Sequence, residues 1–290
     1  MTEKNKIILV TGGAGFVGSA LIKSLINQGF TNVYSLDNYF TGDESNHIDG
    51  ATYIRGDTNN IFECVDFAPD VVYHFGEYAR VFTSFEDIQL AWKYNCEGTF
   101  KVIEFCRRHA AKLIYSASST KFGNNGANRN ESPYAFFKSE NSTLVKNYGV
   151  WYGLDYAICY FYNVYGAGQI STGKYATVIG IFEEQYRNNT PLTVVEPGTQ
   201  KRDFTHIEDI TAGLILMLDN GSGDGYCFGT GTSYSILEIA KMFKDEHVLL
   251  PSREGERFDS GINLSKSHDL GWKAHKNIED YILQFKSSLK

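Results

Sequence analysis

From Lys6 to about Tyr160, short β-branched or aromatic runs alternate with longer amphipathic stretches. Parallel β-α-β winding leaves that pattern in a sequence. The runs predict strands at Ile7–Thr11, Asn32–Leu36, Thr52–Arg55, Val71–Phe75, Lys112–Ser116 and Asp155–Tyr160. Between them, Gly15–Gln28 reads as a helix closed by Gly29, and Phe85–His109 as one long helix. A third helix, Tyr134–Tyr152, follows Pro133, whose fixed φ suits a first helical turn. After Gly166 the alternation gives way to a mixed region with helices at Thr177–Arg187, Ile207–Leu218 and Ser235–Lys244. The expected architecture is α/β: a doubly wound parallel sheet over residues 1–165 and a smaller mixed α/β lobe over 166–290, interleaved with the first at its edges.

Composition narrows the class. With 42% hydrophobic, 21% charged and 14% aromatic residues in 290, the chain is neither disordered nor collagen-like nor a coiled coil. A net charge of −7 argues against a broad basic surface for nucleic acid or anionic lipid, so any phosphate must be held locally. The five cysteines, Cys64, Cys96, Cys106, Cys159 and Cys227, form no C-x-x-C pair and have no nearby His at metal-ligand spacing. Reduced, buried thiols, a cytoplasmic setting and no metal site are expected. The uncharged stretch Ile7–Ile22 holds four glycines in 16 residues, too few and too flexible for a membrane span. A strand starting near residue 6 leaves no room for a signal peptide.

The first strand runs directly into Gly12-Gly13-Ala14-Gly15-Phe16-Val17-Gly18 and then an apolar helix. Glycines permit the tight turn and close backbone approach that a pyrophosphate needs, and the helix N-terminus offers unpaired N–H groups. Alone, the loop could be a glycine turn without a ligand. Asp37, 19 residues after Gly18 at the end of the second strand, adds an acceptor for ribose hydroxyls. No Lys or Arg lies between Asp37 and Arg55 to neutralise a 2′-phosphate, which favours NAD over NADP. Asp57, after the third strand, suits either an adenine amino group or an ordinary turn. The cofactor half is thus expected to be Rossmann-type.

Tyr134 and Lys138 stand four residues apart, on one face of a predicted helix. Such a pair is common on helix surfaces. Ser116-Ala117-Ser118-Ser119-Thr120, just past the fifth strand, puts hydroxyls at the carboxyl edge where α/β sheets bind ligands. A hydroxyl-rich turn is its bland reading, but strand-end serine, helix-borne tyrosine and i+4 lysine together suggest a reaction centre.

As a set these motifs resemble the extended short-chain dehydrogenases/reductases, specifically the nucleotide-sugar epimerase/dehydratase family. The likeness spans nearly the whole chain and rests also on Asp37-Asn38, Gly56-Asp57, His74-Phe75-Gly76, Asn95-Cys96-Glu97-Gly98-Thr99, Asn163-Val164-Tyr165-Gly166 and Arg202-Asp203-Phe204-Thr205-His206. It implies that Tyr134 is the base on a sugar hydroxyl while hydride passes to the nicotinamide. Bringing a phenol from a pKa of about 10 to near 7 takes roughly 4 kcal/mol of preferential phenolate stabilisation. The resemblance assigns this to Lys138, which also bonds the nicotinamide ribose, and to the nicotinamide charge. Ser118 then relays the proton, and Asn95 is a polar support.

Further cofactor contacts implied by the resemblance are Gly12, Gly15, Phe16, Val17, Gly18, Asn38, Thr58, Phe75, Gly76, Tyr78, Asn95 and Phe161; for Gly76, Tyr78 and Phe161 packing is an equal explanation. On the substrate side it implies Ser118, Ser119 and Asn163, with Arg202 gripping the diphosphate and Arg253 as a second such arginine, a solvated loop charge being its weaker alternative. His74 and His206 are expected to be structural.

Related 4,6-dehydratases usually carry Asp-Glu directly after the catalytic hydroxyl residue, and UDP-glucuronate decarboxylases a glutamate at the second of these positions. Here they are Ser119 and Thr120. Without a carboxylate there, the expected reaction is C4 epimerisation of a nucleotide sugar, a UDP-hexose, by oxidation, rotation of the keto sugar and return of hydride. A dehydratase, decarboxylase or 3,5-directed epimerase, or a non-catalytic nucleotide-binding scaffold, are the alternatives. Phe122-Gly123 stands where the family commonly has Tyr-Gly, and the loop to Tyr134 is short. Relatives pair the helices equivalent to Phe85–His109 and Tyr134–Tyr152, so a homodimer is expected, although burial within one chain explains the same apolar residues.

Overall fold

The computed structural model describes residues 4–255, 257–259 and 261–289. Its first half alternates strand and helix: β1 (Ile8–Thr11), α1 (Phe16–Asn27), β2 (Val33–Asp37), β3 (Thr52–Arg55), α2 (Ile61–Cys64), β4 (Val71–His74), α3 (Ile88–Ala91), α4 (Thr99–His109), β5 (Lys112–Ser118), α5 (Pro133–Tyr152) and β6 (Tyr156–Phe161). The second half carries β7 (Asn163–Tyr165), α6 (Val178–Arg187), β8 (Leu192–Val195), β9 (Lys201–His206), α7 (Ile207–Asn220), β10 (Gly223–Phe228), β11 (Ser233–Ser235), α8 (Ile236–Phe243), β12 (His247–Leu250), α9 (Ser265–Asp269) and α10 (Ile278–Ser288).

Seven parallel strands form the main sheet in the order β10-β6-β5-β4-β1-β2-β3. Successive strand side chains point to opposite faces, so β1 serves two layers. Leu9 packs with Val102 and Phe105 of α4 and Val145 of α5, while Ile8 and Val10 pack with Leu21 and Leu25 of α1 and Leu214 of α7. Both faces of the sheet are therefore covered, as an all-parallel sheet requires.

The division at residue 165 is one of sequence rather than of space. β10 and α7, both beyond it, return to complete the large sheet and one of its helical layers. What remains is a lobe around the β11-β9-β7 and β12-β8 sheets, with Phe182, Ile239, Phe243 and Ile282 at its centre.

The predicted helix over residues 85–109 is not continuous. Between α3 and α4 the chain widens into a π-helix, Trp92–Gly98. Within it Asn95 turns its carboxamide onto the Tyr78 backbone, accepting from its N–H at 2.6 Å and donating to its carbonyl at 3.0 Å. By contrast, α5 begins as expected, with Pro133 in its first turn and Ser132 Oγ accepting the Ala135 N–H at 3.1 Å.

Cys106, Cys159 and Cys227 are buried, Cys64 and Cys96 partly so, and all five are free thiols. Among the described residues no cluster of His, Cys, Asp and Glu could hold a metal, and no helix is long and apolar enough to cross a membrane.

Candidate active site

A cleft of about 570 Å³ opens at the carboxyl ends of the parallel strands, between the large sheet and the smaller lobe. Gly12, at the end of β1, has φ +72°, and a Cβ there would lie 2.9 Å from the backbone of Phe75 and Gly76. A Cβ on Gly18 would lie 2.1 Å from the Gly12 carbonyl oxygen. Only glycine lets the turn close so tightly. The first N–H groups of α1, those of Phe16 and Val17, have no partner within the helix, and both residues line the cleft.

Asp37 closes β2 beside this turn. Its Oδ2 accepts the Ala14 N–H at 2.9 Å and its Oδ1 the Tyr39 N–H at 2.7 Å, leaving each oxygen further acceptor capacity. Burial raises the Asp37 carboxyl above its ordinary range, opposed by those two N–H groups. The nearest downstream cation, Arg55, is held 2.5 Å from Glu44, its guanidinium stacked on Tyr39. A phosphate cradle that a single Cβ would fill, followed by a carboxylate with spare lone pairs, fits the pyrophosphate and free ribose of NAD. Asn38, Thr58, Phe75 and Phe161 extend the same wall.

The residues predicted to react are gathered at the other end of the sheet edge. Ser118, at the end of β5, accepts from Thr120 Oγ1 at 3.0 Å and from its N–H at 3.3 Å, which fixes the hydroxyl. Tyr134 and Lys138 enter from the first two turns of α5, and all three residues line the cleft. Lys138 is nearly buried, over the Tyr115 ring, and donates to the Ser116 carbonyl and to the Glu77 carboxylate.

Three predicted residues lie elsewhere or act otherwise. Asp57 is not on the cleft wall: it caps a short turn by accepting the Asn59 N–H and pairs with Lys93 at 3.1 Å. Burial pushes its carboxyl up, but the Asn59 donors and Lys93 outweigh this and leave it below its ordinary range. The turn reading is the one the geometry supports. Asn95 is fully buried and acts on the Tyr78 backbone from behind the wall. The Tyr78 hydroxyl is turned away to Thr83 and Asp87, at 2.5 and 2.8 Å. His74 and His206 are structural, as expected: His74 is wedged between Thr11 and Thr99, and His206 caps α7.

On the substrate side Ser119, Asn163, Arg202 and Arg253 all line the cleft. Arg253 is exposed, its guanidinium 4.9 Å from the Phe82 ring centroid. The buried arginine is Arg257, which the sequence reading missed. Its Nη1 donates to Ser119 Oγ at 2.9 Å and its Nη2 to Asn163 Oδ1 at 3.2 Å, and its carbonyl accepts from Arg202. Two further residues were missed. Arg80 donates to the Tyr175 carbonyl and ties the loop after β7 to the loop after β4, where Lys174 also pairs with Asp87 at 2.9 Å. Glu77 is the acidic partner of Lys138. A charged residue directly after an apolar strand at the sheet's carboxyl edge was its available signal.

Residues 8–229 match the family model for the NAD dependent epimerase/dehydratase family. A putative UDP-glucose 4-epimerase of Methanocaldococcus jannaschii is 30% identical, the alignment covering 95% of this chain and 96% of that protein. UDP-glucuronic acid decarboxylase 6 of Arabidopsis thaliana is 27% identical, over 96% of this chain and 87% of the relative. Among solved structures, the UDP-glucose 4-epimerase of Thermus thermophilus in complex with NAD superposes with a TM-score of 0.87 at 27% identity, covering 97% of this chain and 98% of that one.

Proposed function

The chain belongs to the NAD-dependent epimerase/dehydratase family, and from that premise we propose that it interconverts UDP-hexoses epimeric at C4. The observation that carries this reading is the composition of the wall beside Ser118: Ser119 and Thr120 are both hydroxyl residues, and Ser119 is engaged by Arg257. Elimination of water across C5–C6 needs a carboxylic acid and base facing the sugar. Among the described residues the cleft carboxylates have other tasks or places: Asp37 stands by the glycine turn, Glu77 is bound by Lys138, and Glu254 is exposed on the rim.

NAD, held by the Gly12–Gly18 turn and Asp37, would supply a reversible hydride acceptor for C4. Tyr134 takes the C4 hydroxyl proton and gives it back, Ser118 donates to the reacting oxygen, and Lys138 favours the phenolate electrostatically. Arg202 and Arg253 hold the diphosphate, and Arg257 with Asn163 borders the sugar.

The test is an NMR assay of the purified protein with NAD against UDP-glucose, UDP-galactose and their N-acetyl and uronate forms. The expected result is a mixture of C4 epimers with no net NADH, abolished in Tyr134→Phe. Accumulation of a 4-keto or decarboxylated sugar, or equal behaviour of Tyr134→Phe and wild type, overturns the assignment.

A homodimer is part of the proposal. Trp92, Phe100, Phe136 and Trp151 on the π-helix, α4 and α5 are 43–58% exposed, an apolar face suited to a second copy. Light scattering should show a dimer that Trp92→Glu with Phe136→Glu converts to monomer; a wild-type monomer refutes it.

A further inference from the structure

Glu77 is a carboxylate in a place where burial is costly. Its side chain is 3% exposed and that of Lys138 6%. Withdrawing two charges from water costs several kcal/mol per ion and persists only when further hydrogen bonds complete the pair. They do so here. Tyr115 Oη and Thr99 Oγ1 each donate to Glu77 Oε1 at 3.0 Å, Asn141 Nδ2 reaches the same oxygen at 3.3 Å, and Lys138 takes the other oxygen. The Ser116 carbonyl accepts a second Lys138 N–H. Groups from β5, α4 and α5 thus converge on one carboxylate carried by the loop after β4.

We propose that Glu77 is a positioning residue that fixes the Lys138 ammonium and balances its charge, and thereby sets the pH at which Tyr134 loses its proton. This rests on Tyr134 being the base. An ammonium one helical turn from a phenol lowers the phenol's proton affinity, and a carboxylate touching that ammonium offsets much of the effect.

Burial moves several of the other titratable groups around the pair away from their usual values. Burial lowers His74 of β4 to about 4, so its imidazole is neutral, and raises the Tyr115 phenol of β5 well above its usual value. Burial also raises Cys96 of the π-helix to about 12, and Cys159 of β6 lies above its ordinary range for the same reason. Glu97 acts on Cys96 from the next position. Arg80, which faces Tyr134, is lowered by burial from the high value of a guanidinium.

The experiment follows the Tyr134 ring by NMR of protein labelled with 13C-tyrosine, its signal assigned by loss in Tyr134→Phe, across a pH titration with and without NAD. Glu77→Gln keeps the size and one acceptor oxygen but removes the charge. The expected result is a Tyr134 midpoint about one pH unit lower than in wild type, with the acid limb of kcat/KM moving the same way, and no difference between Lys138→Met and Glu77→Gln/Lys138→Met. An unchanged or raised midpoint, or a fall that persists without Lys138, overturns the proposal. Should Glu77→Gln fail to fold, Glu77→Asp draws the charge back by one methylene and should lower the midpoint by a smaller amount; an unchanged midpoint there refutes it equally. The titration needs no sugar, so absence of epimerisation beside the expected shift would refute the function and not the role of Glu77.

Discussion

Arg257 Nη1 donates to Ser119 Oγ at 2.9 Å, one residue past the Ser118 hydroxyl, while its second nitrogen reaches Asn163 at 3.2 Å. Only a planar fork spans the turn after β5 and the start of β7 in this way. Arg257→Lys leaves a point charge that serves one partner. Charged hydrogen bonds contribute about 1.5–3 kcal/mol, so kcat/KM for the nucleotide sugar should fall roughly 10- to 100-fold with NAD affinity unchanged. Steady-state kinetics and cofactor titration check this; a loss under about twofold would return Arg257 to a packing role.

Tyr134→Phe removes one hydroxyl from a helix already capped by Ser132 and entered through Pro133, so the fold should persist. A positioned acid–base group contributes about 10²- to 10⁴-fold, and kcat should fall by that factor. Calorimetry should show sugar-nucleotide binding within about threefold of wild type, because only the interaction formed in the transition state is lost.

Gly18→Ala tests the phosphate cradle. The new methyl would lie 2.1 Å from the Gly12 carbonyl, forcing apart the turn against which the pyrophosphate rests. NAD affinity should drop at least about tenfold, the scale of one lost charge-assisted contact. In wild type NAD should bind better than NADP, because Asp37 opposes a 2′-phosphate and Arg55 is engaged by Glu44. Fluorescence titration with both dinucleotides decides each point.

What the sequence revealed was local. The glycine turn, Asp37, Ser118 and the Tyr134–Lys138 spacing each lie within a few residues of a strand or helix end, where periodicity and chain chemistry coincide. What it hid was long-range. β10, rich in glycine and aspartate, reads as loop until it pairs with Ala157–Phe161 of β6. Arg257 sits in a loop without periodicity, and Arg253 drew attention because its neighbours match a motif; nothing local distinguishes a buried guanidinium from an exposed one. The π-helix is equally silent, since its spacing departs from 3.6 over only two turns.

His74 provides a pH test of the fold. Its imidazole sits between Thr11 Oγ1 at 2.7 Å and Thr99 Oγ1 at 2.9 Å, and burial lowers its pKa to about 4 against 6.5 in a free chain. Between those values the unfolded chain binds a proton that the fold refuses. Stability from this group is therefore fully present above the unfolded value and is lost as pH falls from 6.5 toward 4. The loss is on the order of 3 kcal/mol. Urea unfolding at about pH 7 and about pH 5 should show a steeper decline for wild type than for His74→Gln; equal slopes would place the titration elsewhere.

Gly123 connects the departure from the family's Tyr-Gly pair to the arginine beside Ser119. A Cβ at Gly123 would lie 2.3 Å from Arg257 Cδ and 3.1 Å from Asn128 Oδ1, so the arginine's aliphatic arm occupies the space a side chain would need. Gly123 has an ordinary negative φ of −64°, so alanine meets no backbone strain there and its effect must come through Arg257. Gly123→Ala should push the guanidinium from Ser119 and Asn163 and reproduce the kinetic phenotype of Arg257→Lys, a fall in kcat/KM with NAD affinity intact. Because both changes act on one contact, Gly123→Ala combined with Arg257→Lys should cost much less than the sum of the two. Full additivity would show that Gly123 and Arg257 affect the reaction independently, and that the hydroxyl after Ser118 is oriented by some other group.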